Sequence, residues 1–154
     1  MKEAVVAGAL AVACLNAASG LLGGWIWYRG PMTGRPPATF WVLLRVGQGS
    51  ALTLAVAVGS LAAAGKDPSE DLFYLYALLP LAIAFVAEQL RVTSAQTILD
   101  QRGLENAQAV GTLPASEQGE LVAEVVRREI GVMACSALVV VFLALRAAGT
   151  AHGF

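Results

Sequence analysis

Four stretches of this chain are too apolar, for too long, to face water. They cover residues 4–28, 39–64, 72–92 and 130–148, and each comes near the roughly 20 residues a helix needs to cross a ~30 Å hydrocarbon core. The runs are apolar all round, without the polar face of a soluble amphipathic helix. Only 14% of the chain is charged, far below the ~25% of an ordinary soluble domain. The pattern predicts an all-α polytopic membrane protein: four transmembrane helices in one antiparallel bundle. In 154 residues there is room for these spans, their joints and no separate soluble module, so a single domain over 1–154 is expected.

The first run begins after Lys2 and passes a cysteine, Cys14, as in a secretory leader. Its one basic residue is offset by Glu3, and the apolar run continues to Tyr28, beyond the length of a leader core. A true first span is expected. Basic residues then set the orientation. The joints 29–38 and 93–129 hold Arg29, Arg35, Arg102, Arg127 and Arg128, against Lys2, Lys66 and Arg146 on the other side. Both joints are therefore expected in the cytoplasm, both termini outside, and the chain in the plasma membrane. Trp25, Trp27 and Tyr28 close the first span, and Phe40 and Trp41 open the second; Phe73, Tyr74 and Tyr76 open the third. They are expected as interfacial aromatic belts.

The joints differ. Pro31, Pro36 and Pro37 cannot continue a helix, so the first is read as a tight polar turn. In the second, Asp67 or Ser69 is available to cap the third helix. The third is long and partly helical. Val92, Ala95, Ile98, Leu99 and Arg102 keep helical spacing up to a stop at Gly103, and Leu121, Val122, Val125, Val126 and Ile130 form a second stripe. Glu124 and Arg128 are expected to pair one turn apart. Two helices of about 72–102 and 115–148 follow, each roughly 45–50 Å long at 1.5 Å per residue. Their surplus is a cytoplasmic helical hairpin at about 93–129, whose stripes bury each other.

Polar side chains inside the spans are the candidate site, because each is costly in lipid. Arg45 lies about 9 Å into the second span and Glu88 about 7–8 Å from the matching end of the third, by helical rise. The two spans are antiparallel neighbours, so these opposite charges share a depth and are expected to pair. Arg91 stands one turn from Glu88 and competes for it. Gln48 and Gln89 join the layer, and Asn16, Ser19 and Thr53 are the residues that could extend a polar path beyond it. The layer is read as a wetted polar pocket open to the cytoplasm and closed above by Leu, Val and Ala, a place for an ion or small solute. The same layer read without function is an ion pair pinning two helices.

Small residues form strips: Gly20 and Gly24 on the first span, Gly47 and Gly59 on the second. They are expected to let helices approach closely. These faces and the hairpin are also where a second copy or another membrane protein would dock. Pro80 breaks one hydrogen bond midway along the third span.

Catalytic chemistry finds little support. One histidine, His152, excludes a bis-histidine haem site or a His-rich metal cluster. Cys14 and Cys135 lie roughly 13 Å apart in depth by helical rise, too far for a disulfide. No metal, cofactor or catalytic residue is assigned. A net charge of −1 without a basic stripe argues against nucleic acid. The sequence thus favours a non-enzymatic protein that binds or conducts an ion or small solute through the Arg45/Gln48/Glu88 layer. Its alternatives are an accessory or scaffold subunit, and a small enzyme acting on a lipid or thiol.

Overall fold

The computed structural model describes residues 2–30, 38–66, 68–70, 72–104 and 107–151. Within them lie five helices: α1 (Lys2–Arg29), α2 (Ala38–Ala63), α3 (Leu72–Gln101), α4 (Ala107–Val110) and α5 (Ala115–Thr150). α1, α2, α3 and α5 are each long and apolar enough to cross a membrane, and they pack as an antiparallel bundle. The Pro-rich joint, Arg35, Asp67 and His152 lie outside the described residues.

Around the bundle each helix meets its sequence neighbour, and α5 closes the ring against α1. α5 is the spine, packing broadly on α1 and α3. The α2–α3 seam is the thinnest side of the ring. Two core clusters stack along the axis. At the end nearer the termini, Val5, Ala9, Val12, Leu54, Phe73 and Ala144 lead a cluster dominated by alanine. At the other end Ile26, Phe40, Leu44, Ile130 and Met133 fill the space. Alanine and glycine let backbones approach, which replaces the hydrophobic drive that helices lose in lipid.

The close approaches are specific. A Cβ on Gly20 would meet Leu138 at 2.8 Å, and one on Gly23 would overlap the Phe40 ring and meet Ala134 Cβ at 2.9 Å. On Gly47 it would stand 3.2 Å from the Asn16 side chain. Gly24 and Gly59, expected in the same role, face open space within 4 Å; Gly23 takes the place of Gly24.

Phe40 and Phe73 also depart from expectation. Neither joins an interfacial belt: both are fully buried, Phe40 beneath Gly23. Hydropathy places them at the ends of their spans but carries no information on which way each helix is turned. Trp25, Trp27 and Tyr28 do lie exposed. Both cysteines are free and exposed, so no bridge forms.

The α3–α5 hairpin exists, and its stripes turn inward only in part, since Val92 and Val122 are more than half exposed. Ile98, Leu99 and Leu121 are buried together and backed by Leu104, Val110, Leu113 and Val125. Gly103 ends α3 in the left-handed region at φ 69°. The amide of Leu104 donates to the Leu99 carbonyl and that of Gly103 to Asp100, at 2.9 and 3.0 Å, a Schellman closure. The one-turn α4 lies in the connection between α3 and α5, and Gln118 Nε2 ties that connection to α5 by donating to the Leu113 carbonyl at 2.7 Å. Glu124 does not take Arg128. It pairs across the hairpin with Arg102 at 2.9 Å, because the turn after Gly103 brings that guanidinium beside it.

Candidate functional site

Arg45 projects from the second turn of α2 towards the α2–α3 seam. Its Nη1 donates to Gln48 Oε1 at 2.7 Å and to Glu88 Oε1 of α3 at 2.5 Å. The pairing anticipated from helical rise is therefore present. The second carboxylate oxygen, Oε2, accepts from Arg91 Nε at 2.9 Å. One carboxylate thus holds two guanidiniums, one from each helix, which fixes its plane.

Arg91 carries the layer further. Its Nη1 lies 3.7 Å from Glu129 Oε1 on α5, and its guanidinium sits 5.8 Å from the centroid of the Trp41 ring on α2. Two arginines and two glutamates balance, and α2, α3 and α5 are tied at one level. Burial grades across the layer: the side chains of Glu129, Glu88 and Arg91 are 18%, 27% and 30% exposed, and that of Arg45 is 52% exposed. The layer is closed towards α5 and open at the seam.

Glu129 and Trp41 were not singled out from sequence as members of this layer. A signal for Glu129 exists. Leu99 and Leu121 share the hairpin core; stepping eight residues back from Leu99 reaches Arg91, and eight on from Leu121 reaches Glu129. Gln89, by contrast, is exposed and stands outside the layer; only its backbone carbonyl is engaged, by Thr93 at 3.0 Å.

The residues that could have continued a polar path go elsewhere. Asn16 is 2% exposed and its Nδ2 donates to the Val12 carbonyl at 2.9 Å and the Gly47 carbonyl at 3.3 Å. Ser19 donates to the Asn16 carbonyl at 3.0 Å. These bonds close a small polar knot between α1 and α2, made possible by the bare Cα of Gly47. Among the described residues no buried side-chain nitrogen or oxygen lacks a partner. Thr53 is exposed on α2 and bonds the Gly49 carbonyl of its own helix at 2.9 Å. Beyond the knot, the alanine-rich cluster fills the bundle.

A groove of about 550 Å³ runs between α1 and α2, against Gly8, Ala11, Thr53 and Ala57. None of its lining residues belongs to the charged layer, and only Ser50 and Thr53 among them are polar. At the Arg-bearing end, Arg127 Nε donates to the Trp27 carbonyl at 3.2 Å, placing a cation on the last turn of α1 where the helix dipole is negative. Its guanidinium also stands 5.8 Å from the Trp27 ring, and that of Arg29 stands 4.5 Å from Trp25. No group of three or more metal-ligating side chains occurs among the described residues.

No protein-family model, curated protein or solved structure matches this chain.

Proposed function

We propose that this multi-pass membrane protein binds an ion or small polar ligand at the Arg45–Glu88–Arg91–Glu129 layer and does not pass it across. The ligand enters sideways, between α2 and α3, in the half of the membrane next to the 29–38 joint. That half is assigned to the cytoplasmic side by its arginines, with both termini outside and the chain in the plasma membrane.

One observation carries the reading. Arg45 is half exposed at the thinnest side of the ring while its partners hold it in place. A guanidinium fixed by Gln48 and Glu88 presents donors in a set direction, as recognition of a polar ligand requires. Conduction finds less support, since Asn16 and Ser19 spend their donors on backbone carbonyls and the buried Thr150 beyond them bonds carbonyls of its own helix. Acid–base catalysis by Glu88 finds little, since both its oxygens are occupied. The hairpin buries most of its apolar stripe internally, and the exposed Val92 and Val122 are too few to favour a scaffold role.

The test combines binding and flux. Trp41 is kept as sole reporter by Trp25→Phe and Trp27→Phe, and its emission is titrated with inorganic phosphate in micelles of a neutral detergent. A saturable response that disappears with Arg45→Gln is expected, together with ion and proton flux in proteoliposomes no greater than in empty vesicles. Flux that depends on Glu88 would overturn the reading in favour of a channel or carrier, and no response to phosphate would remove the site.

A further inference from the structure

Arginine has five N–H donors in a fixed plane. Both Nη1 hydrogens of Arg45 are committed, one to Gln48 and one to Glu88. The Nε and Nη2 edge makes no hydrogen bond with any described residue, and the side chain is 52% exposed. That edge is the two-pronged face by which arginine grips phosphate or carboxylate.

What surrounds the edge decides the ligand. Arg45 stands seven residues into α2, about 10 Å by helical rise, within reach of the headgroup layer for a side chain that snorkels. Towards the membrane centre the same exposed face of α2 continues with Gly49, Leu52 and Val56. Gly49 has nothing within 4 Å of where a Cβ would stand, which leaves a notch directly above the arginine; Leu52 and Val56 are more than half exposed. On α3, Phe85, one turn above Glu88, is 66% exposed. An anion-gripping edge thus heads an apolar strip that begins with a notch. A free anion would satisfy the guanidinium and leave the strip uncovered. A phospholipid satisfies both, its phosphate on the edge and its acyl chains on the strip. Arg45 and Arg91 are already balanced by Glu88 and Glu129. Arg29, Arg127 and Arg128 form no salt bridge among the described residues, and the carboxylates of Asp100, Glu117 and Glu120, also without one, stand further out along the hairpin, so the field beside the layer favours a headgroup of net negative charge.

We infer that Arg45 holds the phosphate of an anionic glycerophospholipid through its Nε and Nη2 donors, at the α2–α3 seam and in the leaflet beside the 29–38 joint. This deepens the reading of the layer as a laterally open site and rests on it.

The experiment uses the full chain with Trp41 as sole tryptophan, reconstituted in mixed bilayers of phosphatidylglycerol and phosphatidylcholine. One lipid at a time carries brominated acyl chains, and quenching of Trp41 gives the relative affinity of the two at the seam. About a fivefold preference for phosphatidylglycerol is expected, the size that one basic residue near an anionic headgroup supplies. Arg45→Gln should cut the ratio to roughly two or less, the part left to the more distant Arg29, Arg127 and Arg128, and Arg45→Lys, which keeps the charge but not the fork, should leave it in between. Circular dichroism checks that the variants fold, and the Lys variant keeps the question answerable if Gln does not. Equal quenching by the two lipids in the parent protein overturns the inference, as does a preference that Arg45→Gln leaves intact. Should phosphate still bind in micelles while lipid preference is absent, the lipid assignment falls and the site stands. Loss of both responses removes both.

Discussion

Adding one methyl group to either of two adjacent glycines should move stability in opposite directions. A Cβ on Gly23 would overlap the ring of Phe40 and stand 2.9 Å from the Cβ of Ala134. Neither neighbour can yield easily: Phe40 is fully buried and Ala134 has no rotatable side chain. Overpacking of this kind costs about 1–3 kcal/mol. At Gly24 the new methyl meets nothing within 4 Å, and replacing a mid-helix glycine by alanine gains roughly 0.5–1 kcal/mol through chain entropy. Gly23→Ala and Gly24→Ala should therefore differ by about 1.5–4 kcal/mol. Reversible unfolding in mixed micelles of dodecyl sulfate and a mild detergent, followed by circular dichroism, measures both. The reasoning fails if Gly24→Ala is the damaging change, because neighbouring residues are ~100° apart around a helix and α1 would then be turned by about that angle.

The polar knot between α1 and α2 should be sensitive to charge more than to size. Asn16→Ala is expected to lose about 0.5–1.5 kcal/mol, the scale of one hydrogen bond in lipid. Asn16→Asp, which sets a carboxylate against the Val12 and Gly47 carbonyls, should cost about 3 kcal/mol or more; the same unfolding assay reads both, and equal losses would argue against a dry knot. Across the hairpin, Arg102 and Glu124 are each nearly half exposed. Arg102→Gln should cost less than about 1 kcal/mol and less still in high salt, and a larger, salt-independent loss would mean that the pair is shielded from water.

How much of this was legible in the sequence depends on the kind of information each feature needs. Span positions needed only local hydropathy, and the helices fall within about two residues of expectation for α1 and α2. Arg45 and Glu88 needed depth as well, which helical rise supplies for two antiparallel neighbours. Rotation about a helix axis is a different quantity. Gly20 and Gly24 stand at the spacing of a packing strip, yet α1 presents Gly20 and Gly23 to its neighbours. Phe40 and Phe73 stand at the ends of their spans, yet point inward. Near-uniform hydrophobicity erases the polar face from which rotation is read in a soluble helix. Glu129 was missed for a third reason: it lies at the edge of the fourth apolar run and reads as the root of the hairpin, and only the pairing of Leu99 with Leu121 brings it level with Arg91. Glu124 turned to Arg102 because a turn after Gly103 made a partner of a residue 22 positions away, which spacing along one helix cannot reveal.

A shared layer exists only if Arg45 and Glu88 meet at the seam between α2 and α3. A double-mutant cycle of Arg45→Gln and Glu88→Gln, read by the same unfolding assay, measures that meeting directly. The half exposure of Arg45 reduces the value below that of a buried pair, so a coupling of about 1–2 kcal/mol is expected. Single losses that simply add, leaving a coupling within about 0.3 kcal/mol of zero, would mean that the two side chains act independently and that no shared layer exists.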